Sequence, residues 1–276
     1  MQVITVKGAR VPALGLGTYP LAGEAGRRAI AEAIGIGFRH IDTAQMYGNE
    51  SDVGAAIKES KVDRTEIFVT TKIDNGNHSP AAVRRSAEES LRALGTGYID
   101  LLLMHWPMRP ASHGETFAAM AKLRDEGKVR FIGVSNFNAK LLAEAIDKHG
   151  ADLLCNQVEY HPFLSQRAVL AEVTKRGMMM TAYCPISHGQ VAKDPVIVAI
   201  AKRLGKTPVQ VTLRWLIEQK NVAAIPKAGK REHMIENFSI FDFALTEDDR
   251  RAIARLGEAQ RRIVNPGGWV PGWDRA

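Results

Sequence analysis

Ile99-Asp100-Leu101-Leu102-Leu103-Met104-His105 is a largely apolar run that ends on a titratable ring. A run of this length suits a strand buried on both faces, as in a parallel sheet. Comparable runs cover Phe38–Asp42, Ile67–Lys72, Val129–Ser135, Leu154–Val158, Met178–Tyr183 and Val222–Ile225. With the segment around Leu14-Gly15-Leu16-Gly17 they make eight.

Helical patterns fill the gaps. Residues 26–35 place Ala29, Ile30, Ala33 and Ile34 on one face, and residues 80–94 do the same with Val83, Ala87, Ser90, Leu91 and Leu94. Segments 115–126, 139–148, 166–176, 195–204 and 208–218 continue the alternation. Ser79-Pro80, Asp194-Pro195 and Thr207-Pro208 each read as a capping residue before proline at the first helical position. Gly35, Gly95, Gly127, Gly150, Gly177 and Gly205 fall at expected helix ends. Val3–Val6 and Val11–Leu14, joined by Lys7-Gly8-Ala9-Arg10, read as a small hairpin before the first strand of the series. Helices near 231–239 and 246–256 close the chain, followed by an irregular tail over 257–276. The alternation predicts an α/β fold with a parallel sheet covered by helices, in one domain over 1–276. A closed eight-stranded barrel and an open doubly wound sheet both satisfy it.

Composition narrows the classes of function. The chain has 276 residues, 37 Lys+Arg against 30 Asp+Glu, and a formal charge of +7. The basic residues are spread over helices that also carry acids, so a solvated surface is expected and nucleic-acid binding is not. Cys155 and Cys184 lack C-x-x-C spacing, and two buried free thiols fit a reducing compartment. No stretch nears the ~18 apolar residues of a membrane span, and the start lacks a signal-peptide pattern, so the expected location is cytoplasmic. His78, His113, His161 and His188 are scattered without paired metal-ligand spacing, and no metal is expected.

Four polar residues stand at the C-terminal ends of the strand runs, where parallel α/β folds build ligand sites. Asp42 follows Phe38–Ile41, and Tyr47 lies five residues later in Thr43-Ala44-Gln45-Met46-Tyr47-Gly48-Asn49-Glu50. Lys72 ends the next run and His105 the one after. A free phenol has a pKa of about 10, and a neighbouring ammonium lowers it. Lys72 supplies that charge in this reading, Asp42 holds Lys72 charged and oriented, and a neutral His105 hydrogen-bonds a carbonyl oxygen beside Tyr47. Such a site moves a proton but has no electron source, so the hydride must come from a cofactor.

At these residues the chain resembles the aldo-keto reductase family. The resemblance runs through Phe38-Arg39-His40-Ile41-Asp42-Thr43-Ala44, then Tyr47-Gly48-Asn49-Glu50 and Val53-Gly54. It continues with Leu101–Pro107, Gly127–Phe137, Asn156-Gln157-Val158-Glu159-Tyr160-His161-Pro162 and Ile225-Pro226-Lys227. It covers essentially the whole chain and implies a (β/α)8 TIM barrel with an N-terminal β-hairpin and extra C-terminal helices. It also implies Asp42, Tyr47, Lys72 and His105 as a catalytic tetrad. The short loop after His105 and Lys227-Ala228-Gly229-Lys230-Arg231-Glu232 resemble the bacterial 2,5-diketo-D-gluconate reductase subgroup, reductase B type.

There is no G-x-G-x-x-G opening a helix, and Gly15-Leu16-Gly17 alone does not make a Rossmann site. The resemblance instead implies NADPH extended across the barrel mouth past Gly17, Thr18 and Asp42. Ser135, Asn136 and Gln157 would hold the nicotinamide carboxamide, Tyr183 would stack on its ring, and Pro185, Ile186 and Ser187 would lie along the pyrophosphate. Cys184 stands where the family often has serine. Lys227, Glu236 and Asn237 match the phosphate and adenine positions, while His233 replaces a common arginine. Histidine lacks the guanidinium fork and carries less charge at neutral pH. With Lys227, Lys230 and Arg231 nearby, the expectation is NADPH preference with NADH also accepted. Tyr19, Tyr47, His105, Trp106 and Trp273 would line a pocket for small aldehydes, ketones or keto-sugars such as 2,5-diketo-D-gluconate or methylglyoxal. The resemblance implies a monomer. The alternative is a redox-sensing regulatory subunit that binds the cofactor with little turnover, and the intact tetrad favours the enzyme.

Overall fold

The computed structural model describes residues 1–108, 113–268 and 270–274, and in it the apolar runs pair edge to edge in chain order. Strands β1 (Val3–Val6) and β2 (Ala9–Pro12) form an antiparallel hairpin. Strands β3 (Leu16–Gly17), β4 (His40–Asp42), β5 (Phe68–Ile73), β6 (Ile99–Met104), β7 (Val129–Ser135), β8 (Cys155–Glu159), β9 (Met179–Tyr183) and β10 (Val222–Ala224) follow, each parallel to its neighbours. The two ends of this sheet meet. Leu14 bridges Ala224 in parallel, the Gly15 amide donates to the Ala224 carbonyl at 2.9 Å, and the Ala224 amide donates to the Ala13 carbonyl at 2.8 Å. At the top of the seam the Gly17 amide donates to the Pro226 carbonyl at 3.1 Å. A closed (β/α)8 barrel results, not an open sheet. Gly17 permits the closure, because a Cβ there would lie 2.8 Å from the Ile225 carbonyl oxygen.

The helices are α1 (Gly23–Ile36), α2 (Glu50–Ser60), α3 (Pro80–Leu94), α4 (His113–Asp125), α5 (Ala139–Asp147), α6 (Arg167–Lys175), α7 (Pro195–Leu204), α8 (Pro208–Ile217), α9 (Arg231–Phe238) and α10 (Glu247–Leu256). Ser79, Asp194 and Thr207 cap α3, α7 and α8 through their side chains, each with proline in the first turn, as the sequence predicts. Three details differ. Gly35 lies inside α1, and the chain turns out of that helix at Gly37, whose φ of 128° few other residues adopt. The second hairpin strand begins at Ala9, because Lys7 and Gly8 alone make the turn with positive φ. Helix α2 was not expected, since its buried apolar stripe is only Val53, Ala56 and Ile57 around a glycine.

The hairpin seals the end of the barrel remote from Asp42. The Pro12 carbonyl meets His40 Nδ1 at 3.2 Å at the start of β4, and Gln2 donates to the Ile217 carbonyl at 2.8 Å. Fully buried Leu16, Ile41 and Leu103 belong to the core. With one end sealed and the interior filled, polar side chains gather at the other mouth.

Candidate active site

Asp42 is the last residue of β4, and Lys72 is the penultimate residue of β5. Soon after Asp42 the chain makes a 3-10 turn, Gln45–Tyr47, ended by Gly48 in the left-handed region at φ 65°. This turn brings Tyr47 back over the strand ends. Asn49 locks the loop, accepting from Thr43 Oγ1 at 2.6 Å and donating to the carbonyls of Thr18 (3.1 Å) and Leu21 (2.7 Å).

The Lys72 ammonium has three N–H donors and all are used. It donates to Asp42 Oδ1 at 2.6 Å, to the Thr43 carbonyl at 2.8 Å and to Tyr47 Oη at 3.3 Å. Tyr47 Oη is thus an acceptor toward Lys72, which leaves its own proton free to point elsewhere. Burial works to lower the Lys72 pKa, but Asp42 and Tyr47 outweigh it and hold the group charged. For Tyr47 the balance differs from the sequence reading. Burial raises the phenol pKa, and Lys72 offsets this only in part, so the group stays firmly protonated.

His105 directly follows β6, its ring centroid 5.9 Å from that of Tyr47. Burial, helped by the Lys72 charge, pushes its pKa down to about 3, so the ring is neutral at physiological pH. Its Nδ1 is buried without a hydrogen-bond partner among the described residues. A buried unpaired lone pair is less costly than a buried unpaired N–H, so the proton belongs on Nε2.

A second polar group sits beside the first. Gln157 Nε2 donates to Asp42 Oδ2 at 2.6 Å, so both oxygens of Asp42 are engaged. Ser135 Oγ donates to the Gln157 carbonyl at 2.8 Å. Asn136 donates to the His105 carbonyl at 3.0 Å and accepts from the Tyr183 hydroxyl at 2.7 Å. Ser135, Asn136, Gln157 and Tyr183 are therefore joined to Asp42 and His105 in one network. After β9 the chain turns sharply, with positive φ at Cys184, Ser187 and His188. Cys155 is buried but Cys184 only half-buried, which corrects the expectation of two buried thiols.

Lys227 and Lys230 are exposed just beyond β10, and His233 is exposed in the first turn of α9. Helix α9 has no side-chain cap, so its first N–H groups are open to an anion. Arg231 is less free than expected, since it pairs with Glu32 of α1 at 3.3 Å. Glu236 accepts from Thr207 Oγ1 at 2.6 Å, and Asn237 is buried. Thr18 is buried, its amide bonded to the Asp42 carbonyl at 3.0 Å.

Aromatic side chains flank the tetrad. Tyr19, largely exposed, lies 5.1 Å from Tyr47 between ring centroids, and buried Trp106 lies 6.3 Å from Trp273. Glu159 is legible in the sequence only as part of a motif, and Arg262 not at all. Both hold the tail that carries Trp273. A glutamate ending a strand run, followed at once by aromatic and histidine residues, was the available signal. Among the described residues no three His, Cys, Asp or Glu side chains form a metal-binding group, and no helix is long and apolar enough to cross a membrane.

Two buried histidines make stability acid-sensitive. His78 is pushed down to about 4, chiefly by burial, and both its ring nitrogens lack partners among the described residues; His105 stands at about 3. Unfolding lets both protonate near the ordinary histidine pKa, so their contribution is complete above about 6.5 and lost as pH falls toward the folded values. Urea denaturation at pH 7 and pH 5 should show a loss of about 2 kcal/mol per histidine, and His78→Leu should remove its share. An unchanged free energy between the two would contradict neutral burial.

The model of the Aldo/keto reductase family matches residues 13–258. The crystal structure of a candidate 2,5-diketo-D-gluconic acid reductase B superimposes with a TM-score of 0.96 at 44% identity, covering 99% of this chain and 98% of the other. The methylglyoxal reductase DkgB of Escherichia coli is 39% identical over 267 residues, 96% of this chain and 99% of its own. The Bombyx mori aldo-keto reductase, solved in complex with NADP, superimposes with a TM-score of 0.88 at 33% identity, covering 96% and 95%.

Proposed function

The chain belongs to the aldo/keto reductase family, and on that premise we propose that it reduces small aldehydes, ketones or keto-sugars to alcohols with NADPH, Tyr47 giving the proton. The observation that carries this reading is the hydrogen bond from Lys72 to Tyr47 Oη, with neutral His105 beside the same ring. Lys72 occupies an acceptor position of the phenol oxygen, so the phenolic proton is directed to the substrate carbonyl. His105 Nε2–H donates to that carbonyl oxygen and places it. As the proton leaves Tyr47, the Lys72 ammonium stabilises the phenolate, and Asp42 holds Lys72 in position.

The donor set fits a nicotinamide dinucleotide. Asp42 commits Gln157 Nε2, which leaves Gln157 Oε1 to accept from a carboxamide, while Tyr183 offers a half-buried aromatic face. Ser135 and Asn136 would complete the carboxamide site. In the protein alone Asn136 is bonded to His105 and Tyr183, so it also orients both. Pro185, Ile186 and Ser187, with Gly17 and Thr18, would border the phosphates; Lys227, Lys230 and the open start of α9 would take the 2′-phosphate. When bound, the reduced nicotinamide supplies the hydride. Arg231 is partly neutralised by Glu32, and His233 lacks a guanidinium, so discrimination rests on the two lysines.

The test is initial rates on a panel of small aldehydes, ketones and keto-sugars with each cofactor. Turnover is expected with NADPH, at a kcat/KM about tenfold above NADH, as ~1.4 kcal/mol shared between the two exposed lysines gives. Equal values would remove the preference, and no oxidation of either cofactor would remove the reductase reading.

A further inference from the structure

We propose that Glu159 and Arg262 are positioning residues for substrate specificity, acting through Trp273. The inference rests on the reading of Trp106 and Trp273 as the pocket wall. Glu159 ends β8 and is fully buried. Its Oε1 accepts from the Ile263 amide at 2.6 Å and from His161 Nε2 at 3.0 Å, and its Oε2 accepts from the Val264 amide at 2.8 Å. The Phe163 amide donates to His161 Nδ1 at 3.2 Å, which fixes the proton on Nε2. Hydrogen bonds to an ionised acceptor are the stronger class, so one strand-end carboxylate grips the tail at two successive residues.

Trp273 is held from that grip. The Arg262 guanidinium lies 3.7 Å from the centroid of the Trp273 ring, and Trp273 Nε1 donates to Asn265 Oδ1 at 2.9 Å. Beyond it, the Ala139 amide donates to Asp274 Oδ2 at 2.9 Å. Trp273 itself is only half-buried, so polar anchors rather than core packing set its place. Arg262 Nη1 is 3.9 Å from Glu159 Oε2 and has no hydrogen-bond partner among the described residues. Its ordering therefore comes from stacking and from the charge of Glu159. Since Trp273 faces Trp106, the neighbour of His105, loosening either residue should widen the pocket without touching the tetrad.

The test compares Glu159→Gln and Arg262→Met, each alone and combined with Trp273→Ala, on 4-nitrobenzaldehyde and methylglyoxal with NADPH. Arg262→Met keeps length and apolar contact, so it covers the case in which Glu159→Gln fails to fold. The ratio of kcat/KM for the aromatic over the small aldehyde should fall about threefold to tenfold in each, the range of a partly buried cation–π contact. Methylglyoxal kcat should change little, and the fall should vanish in the Trp273→Ala background. An unchanged ratio, or the same fall without Trp273, overturns the inference. Acrylamide quenching reads placement independently of turnover: Arg262→Met should expose tryptophan only in chains that retain Trp273. Unchanged quenching overturns the inference even in an active enzyme. If the wild type reduces neither aldehyde, the reductase reading fails and quenching still decides the clamp.

Discussion

Tyr47→Phe is expected to lower kcat about 10³-fold on every carbonyl the enzyme accepts, within the range for losing a general acid, and to leave KM nearly unchanged. Phe retains the ring that packs against Tyr19 and His105, and it keeps the face over which Lys72 Nζ sits, 4.9 Å from the centroid. Only Oη is lost. Lys72 then has one buried charged donor without its acceptor, a stability cost of about 3 kcal/mol that chemical denaturation resolves easily. The signature is thus a large rate loss in a folded protein that still binds cofactor, measured by single-turnover kinetics and fluorescence titration. Turnover within tenfold of wild type would show that another group delivers the proton.

Lys72→Met should damage both rate and stability. The side chain is almost wholly buried, and its charge is balanced by Asp42 at 2.6 Å. Removing one member of a buried ion pair leaves the other uncompensated, which costs about 3–5 kcal/mol. Gln157 remains as a donor to Asp42, but one neutral amide does not replace an ammonium. Without the cation nothing offsets the burial that already raises the Tyr47 pKa, so kcat should also fall, by about 10² or more. Urea melts and steady-state rates on one preparation separate the losses. A variant as stable as wild type would mean that the pair is worth no more than a surface contact.

The strand runs and their terminal Asp42, Lys72 and His105 were legible because burial on both faces demands unbroken apolar stretches, and a polar residue at the end of one stands out. Tyr47 was legible as a loop residue at fixed distance from Asp42. Barrel closure was legible only through the family resemblance and not from periodicity, since it depends on Gly17 approaching a carbonyl more than 200 residues away. The upward pull on the Tyr47 pKa was missed for a related reason: depth of burial belongs to the assembled mouth. Helix α2 escaped because Gly54 interrupts its stripe, although Val53, Ala56 and Ile57 keep helical spacing. The grip of Glu159 on residues 263 and 264 joins segments a hundred positions apart, and only the fold brings them together.

The seam between Leu14 and Ala224 also governs the order in which a growing chain becomes an enzyme. All four tetrad side chains are synthesised by residue 105, and Gln157 follows soon after. Until residue 224 emerges, β3 and the latest completed strand both present open edges, and unpaired edges invite pairing with other chains. A nascent chain can therefore hold all four side chains and still lack the closed wall that brings them together. A chain stopped between residues 160 and 220 should therefore be found in aggregates rather than as a weak enzyme.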